Sequence, residues 1–531
     1  MLDIAGVGAT LSRCAIALVM AVGACAPAHH RALASTPPYP YASYGAAALT
    51  TLENDWYDRG RWRLCLAPGC RSVNQDWGAD AITYALYLRW KSTHDVSLAP
   101  YFWSLASTAR RYGVACEGTV CSQLSDVPEW DALAALRDYE VVGNDDALPL
   151  EEAKADFDVV DLSNAYALGA CPGIDYQRPF GGHSKLKTLE TDSNAIRVAL
   201  LLYRATGLAP YLEKARRKYA AVRRFFLDPN VPLYTAYVFD DGADCRQLPR
   251  RFFASVNGNM IEAGLGLYHA TRDGSYRRQA IATAAAADTY LSDGRKVFAD
   301  LQAENDVAEP LVEAMYDLAQ DVPLSVGRDW ILRNATAAVS ARALSGNFGR
   351  FFDGPPPSGP VTAWQTNGGF ALMFAAASLA SRNAPPAGAW RSARTVRLDI
   401  SLLPARITFH GDAIALFGTI GERCCESGHA RVSLDGRETF DRTGIWQNKS
   451  SSGLGLPDSL LFAWRWPRAG VHTILLEPGM TNAKEGEPFI HIRRYAVLGD
   501  AYSSPGKAFL KPATTAPRVA VKPAEPETAQ P

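Results

Sequence analysis

Long hydrophobic runs are scarce in this 531-residue chain. The longest near the start, Cys14 to Ala24 after Arg13, falls well short of the ~20 apolar residues a membrane-spanning helix needs. An excess of one charge is also lacking: 54 Lys and Arg stand against 55 Asp and Glu, with no sustained basic run. That argues against a nucleic-acid surface, which needs clustered cations to displace counterions from phosphates. Metal-ligand spacing is missing too. None of the cysteines sits in a C-x2-C pair or beside a histidine, so neither a metal nor a cofactor is expected.

What is present begins with the short apolar run, which fits an export signal at residues 1–25. Val22-Gly23-Ala24-Cys25 resembles a bacterial lipobox, so Cys25 is a lipidation candidate; simple cleavage between Ala26 and Ala34 is the other reading. The expected location is accordingly periplasmic, outer-membrane lipoprotein or secreted. Eight body cysteines, Cys65, Cys70, Cys116, Cys121, Cys171, Cys245, Cys424 and Cys425, suggest disulfides in an exported protein, the C-x4-C pairs stapling short loops.

Past a linker at 26–44, Ala/Leu-rich helices that are apolar around nearly their whole circumference are expected near Trp77, Trp130, Asp192, Asn257, Asp306 and Gln365. Such helices belong inside. One-sided, more charged helices alternate with them: 100–112, 149–160, 210–226, 276–291 and 326–343, with an opening helix at 46–57. The alternation predicts a mainly α protein, an (α/α)6 toroid over residues 45–382, followed by a small β-sandwich domain at 395–500. Short strands are expected at 396–400, 413–417, 430–434, 460–464 and 471–476, with Leu434-Asp435-Gly436-Arg437 as a hairpin turn. Residues 501–531, rich in Pro, Ala, Thr and Lys, read as a disordered tail.

In such a toroid the starts of the inner helices share one rim. Here those starts carry Asp76, Trp77 and Asp80; Asp126, Glu129, Trp130 and Asp131; Glu190 and Asp192; Asn257 and Asn259; Glu304 and Asp306; and Trp364 with Gln365. Carboxylates and amides that bind hydroxyls, next to flat rings that cover C–H faces, make a lining suited to an oligosaccharide or polysaccharide. A pair of carboxylates is also the minimum equipment for breaking a glycosidic bond. Asp126 and Glu129, three apart on one helix with Cβ atoms roughly 5–6 Å apart, are the candidate catalytic pair, a close spacing that suits a retaining mechanism. The competing reading of Asp126-x-x-Glu129 is a capping box at a helix entrance, and Glu190 and Asp192 admit a capping reading as well.

The segment from Asp126 to Asn144 resembles the second inner helix of glycoside hydrolase family 76, the endo-α-1,6-mannanases, in which an Asp-Asp pair precedes a tryptophan. Cys171-Pro172-Gly173-Ile174-Asp175-Tyr176 is similar to that family's glycine-rich strand, and 190–207 and 257–273 to its helical repeats. The resemblance implies an (α/α)6 fold and a retaining endo-hydrolase with two aspartates; the chain is expected to act as a monomer. In this chain Val127 occupies the second aspartate's position, so Glu129, Asp131 or another helix start must supply the second acid. Two alternatives stand beside hydrolysis. One is a lyase or epimerase, which would need a basic pocket where these rims are acidic; the other is a glycan-binding lipoprotein without catalysis.

Overall fold

The computed structural model describes residues 41–499 except 64, 69–76, 103–124, 144–146, 164–168, 176–184, 249–250, 300–306, 323–325, 381–389, 391–392, 401–402, 421–428, 440–444, 447–455 and 479–490, with backbone alone at 77–80, 159, 161–163, 398–399, 420, 429 and 445–446. The signal, residues 26–40 of the linker and the tail lie outside the described residues, whereas 41–44, expected as linker, already belong to the opening helix, which starts at Tyr41 rather than Ala46. Among the described residues no helix is long and apolar enough to cross a membrane.

The chain is mainly helical. Helix α1 (Tyr41–Thr51) passes through one π turn (Leu52–Trp56) and a small hairpin, β1 (Tyr57–Asp58) and β2 (Arg61–Trp62), to α2 (Trp77–Thr93). There follow α3 (Asp126–Val142), α4 (Leu148–Ser163), α5 (Leu189–Thr206), α6 (Ala209–Phe225), α7 (Ala254–Thr271), α8 (Gly274–Tyr290), α9 (Glu309–Asp321), α10 (Val326–Ser340) and α11 (Ala363–Leu379). Most inner helices start a few residues before the expected positions, and the helix expected at 100–112 begins at Ala99 and leaves the described residues after Phe102. Helix packing separates into two layers. Contacts run from α2 to α3, α5, α7, α9 and α11 and back to α2, while α4, α6, α8, α10 and α1 each pack against one or two of these.

Sequence decides which layer a helix joins. In α11 every residue from Ala363 to Ala376 is buried, because no side of AWQTNGGFALMFAA offers water a charge. In α6 full burial is confined to Ala215, Lys218, Tyr219 and Val222, one stripe at helical spacing, while Arg216, Arg217 and Arg224 on the other side are exposed. The inner helices point the same way: Glu190 and Ser255 meet near the starts of α5 and α7, Lys91 and Asp317 near the ends of α2 and α9. They also approach closely. A Cβ added to Gly258 of α7 would lie 2.4 Å from the Leu311 amide nitrogen and 2.6 Å from the Pro310 carbonyl oxygen, backbone atoms that cannot rotate away. Gly258→Ala is therefore expected to push α7 off α9 and lower unfolding free energy by about 1–3 kcal/mol, read by urea denaturation.

Between the helices, β3 (Leu186–Thr188), β4 (Tyr237–Asp240) and β5 (Cys245–Gln247) form a small antiparallel sheet. The segment likened to a strand, Cys171 to Asp175, is a turn instead. The Cys171–Cys245 disulfide ties it to β5. Cys65 is also disulfide-bonded, and Cys70, Cys116, Cys121, Cys424 and Cys425 lie outside the described residues.

After the helices comes one hydrogen-bonded sheet of seven strands: β6 (Arg394–Ile400), β7 (Ala405–Ile420), β8 (His429–Leu434), β9 (Arg437–Glu438), β10 (Ile445–Trp446), β11 (Leu456–Pro478) and β12 (Ile492–Leu498). The strands expected at 460–464 and 471–476 are a single strand. A register shift between Arg465 and Gly470 takes up the Pro467 region, so that β11 pairs with β7 on both sides of the break. The expected hairpin joins β8 to β9, with Asp435 and Gly436 both at positive φ as a two-residue turn of this kind requires. Trp466 is buried in the sheet's core, and Trp464 stacks on Phe462 at its margin. The sheet is fastened to the helices by Arg465, which donates to Asp353, and by the Gly294 amide, which donates to the Arg465 carbonyl at 2.9 Å.

Candidate functional site

Asp126 is the first helical residue of α3. Ser125 before it makes no side-chain cap, and neither carboxylate oxygen of Glu129 has a hydrogen-bond partner, so the capping box that the sequence permits does not form. Asp126 remains partly exposed, and desolvation pushes its pKa up to about 6.

Glu129, one turn on, is fully buried and joins a packet of charges between α3, α5 and α6. Lys218 of α6 sits at its centre, its Nζ 2.5 Å from Asp175 Oδ2 and 2.9 Å from Asp192 Oδ1. The Asp175 amide also donates to the Asp192 carboxylate at 3.3 Å. Three carboxyls around one ammonium exceed its charge. Burial, followed by the negative charge of Asp175, holds the Glu129 pKa well above the carboxylate range. Burial raises Asp192 to about 7, against the pull of Lys218. The turn carrying Asp175 is fixed from behind: Lys187 donates to the carbonyls of Cys171 and Ile174 and pairs with Asp240, which accepts from the amides of Ala170 and Cys171.

On the interior side of the inner helices, Trp130 meets Tyr84 edge to face at 5.6 Å, and both belong to an apolar cluster with Ala81, Val307 and Trp364. Next along the axis lies an ion network. The Arg137 guanidinium lies 3.5 Å over the Tyr84 ring. Arg137 and Arg197 donate to Glu313 Oε2 at 3.1 and 3.0 Å, and Lys91 reaches Glu313 Oε1 at 3.0 Å. Arg197 also donates to the Tyr84 hydroxyl and to Asn259 Oδ1, while Asn259 donates to Asn194.

The other expected site residues fall in different places. Asp76, Glu304 and Asp306 are outside the described residues, and Trp77 and Asp80 are described in backbone only. Asp131 is partly exposed beside the start of α3. Glu190 accepts from Ser255 rather than capping α5. The Asn257 amide is taken up by backbone: Oδ1 accepts from the Tyr234 amide, and Nδ2 donates to the carbonyls of Tyr234 and Phe253, fastening the chain to the start of α7. Gln365 completes a capping box with Thr362. Asp175, Lys218, Arg137, Arg197 and Glu313 were not singled out as site residues from the sequence, although Lys218 lies on the buried stripe of α6. Among the described residues no three His, Cys, Asp or Glu side chains are grouped to hold a metal ion.

No protein-family model and no curated protein matches the sequence. Solved structures do share the fold. An inactive variant of an α-1,6-mannanase of family 76 from Salegentibacter sp. HEL1_6, with two aspartates replaced by asparagine and α-1,6-mannotriose bound, is similar at 21% identity and a TM-score of 0.55, over 64% of this chain and all of that one. A second variant of that enzyme, bound to α-1,6-mannotetrose, gives 20% identity and 0.56 over the same shares. A family 76 α-mannanase from Bacteroides thetaiotaomicron gives 17% and 0.52, over 64% of this chain and 96% of that one.

Proposed function

We propose that this protein is an exported glycoside hydrolase, a divergent relative of the family 76 mannanases, that cuts a polysaccharide at the starts of the inner helices. The closed order of inner-helix contacts is read as an (α/α)6 toroid and the seven-stranded sheet as an accessory β-sandwich. The observation that carries the reading is Asp126: a carboxyl partly open to solvent at the first turn of an inner helix, next to Trp130, in a fold shared with α-1,6-mannanases. Glu129 is the other half of the pair. Two carboxyls whose surroundings push their pKa values apart take different roles. Asp126, ionised above about pH 6, attacks the anomeric carbon or activates water. Glu129, kept protonated by burial, gives its proton to the leaving oxygen.

The test is reducing-end release from a panel of α-mannans. Asp126→Asn is expected to lower kcat/KM by about 10²–10⁴-fold, and wild-type kcat/KM is expected to rise with pH through about 6 as Asp126 loses its proton. Full activity in Asp126→Asn, or no product from any mannan, would end this reading. A second reading, glycan binding without hydrolysis, is favoured by the complete burial of Glu129 in the Lys218 packet. Saturable oligosaccharide binding with no reducing ends released would establish it.

A further inference from the structure

At the opposite end of the inner helices, a cavity of about 680 Å³ opens between the C-terminal halves of α2, α5, α7 and α9. Its volume lies within the range of small-molecule sites. The network of Arg137, Arg197 and Glu313 stands between it and Trp130, so it is separate from the site of Asp126. Three cations, Lys91, Arg197 and Arg204, and three acids, Glu262, Asp317 and Asp321, line it. Most of them already have partners: Lys91 pairs with Asp317, Arg197 with Glu313, Arg204 with Glu140 and Asp321 with Arg277. Glu262 differs, since its Oε1 is buried without a hydrogen-bond partner.

We propose that this cavity is a second, non-catalytic saccharide site that holds one or two neutral sugar units, with Glu262 bonded to a hydroxyl and Leu200, Leu201 and Leu265 against the C–H face of the ring. The balance of charge selects the ligand. An ammonium group at Glu262 would face Lys91 and Arg197, and a carboxylate there would face Asp317 and Glu313, the groups whose charges act on Glu262 from α2, α5 and α9. A hydroxyl meets neither penalty. Burial, then Asp317, raises Glu262 to about 8, so at neutral pH its carboxyl both donates and accepts, as a sugar hydroxyl does. The leucines supply apolar surface beside these polar groups, the mixed lining that binds a pyranose.

The inference does not depend on hydrolysis, and its test is separable from that of the catalytic reading. Titration calorimetry on the full chain carrying Asp126→Asn, with α-1,6-mannobiose and cellobiose as probes and propylamine and acetate as charged controls, is expected to show sugar binding. Adding Leu201→Trp, which fills the cavity from a partly exposed position, removes one binding event. Adding Glu262→Leu, which removes both the donor and the acceptor, weakens that event about tenfold. Without Glu262→Leu its affinity falls as pH rises through about 8, and with it the affinity is flat. Thermal melts confirm that both variants are folded. On the wild-type background, neither substitution changes reducing-end release. The proposal is overturned if neither sugar binds, if neither substitution alters a binding event, or if a charged control occupies the cavity in preference to the sugars.

Discussion

Lys218→Met is expected to lower unfolding free energy by about 3–5 kcal/mol at pH 8 and by much less at pH 5, measured by urea denaturation at the two pH values. Lys218 is almost wholly buried and is the cation held between Asp175 and Asp192, with Glu129 close by. Methionine has similar length and fits the apolar stripe of α6, so the change removes charge with little change of volume. Three buried carboxyls then have no ammonium among them. The pH dependence follows from proton linkage. Asp192, at about 7 in the folded protein, and Glu129, also raised, bind protons that the unfolded chain releases near pH 4. Their contribution to stability is full below about pH 4 and is lost as pH rises through the folded values, by up to about 1.4 kcal/mol per pH unit per proton. Removing Lys218 raises those folded values further, so the loss grows toward alkaline pH. Equal destabilisation at pH 5 and pH 8 would contradict the charge packet.

Glu313→Gln is expected to destabilise by a similar amount, about 3–5 kcal/mol, with a gap that also shrinks toward acid but does so at lower pH. Glu313 accepts from Arg137, Arg197 and Lys91, and the two arginines are almost fully buried. Burial alone would raise its pKa, but Lys91, Arg197 and Arg137 outweigh it and hold the carboxyl far below the usual range. That depressed value contributes stability present above about pH 4.5 and lost as pH falls toward the folded pKa. The gap between wild type and variant therefore narrows in acid, whereas the Lys218→Met gap narrows between pH 8 and pH 5. Because Arg137 lies over Tyr84 and Arg197 donates to its hydroxyl, Glu313→Gln also loosens the ring on which Trp130 rests. Altered Trp fluorescence in the folded variant is the accompanying signal.

The alternation of wholly apolar and one-sided helices was legible in the chain because layer membership is a property of each helix's own circumference. Helix starts were misplaced where a polar residue looked like the first of its helix: Asp192 lies in the first turn of α5, which begins at Leu189. Side-chain partners were harder to read. Asn257 and Asn259 are the same residue two positions apart, yet one fastens backbone and the other joins the interior network, a difference set by Tyr234 and Arg197 from distant segments. Lys218 was hidden because KARRKYAAVRR reads as a solvated basic face until the stripe of Ala215, Tyr219 and Val222 is recognised as the packed side. The single β11 was divided in the reading because Pro467 and Gly470 look like a turn, whereas a register shift in pairing with β7 absorbs them.

Arg465 stands near the middle of β11, where it grips Asp353 and Asp412, while Arg350 reaches back to the Leu461 carbonyl and Phe351 packs into the sheet's core. Severing the chain before Arg394 would take Arg465 away from Asp353, which keeps Arg295, and leave Phe351 facing water. The two halves are therefore expected to melt in a single transition, checked by scanning calorimetry.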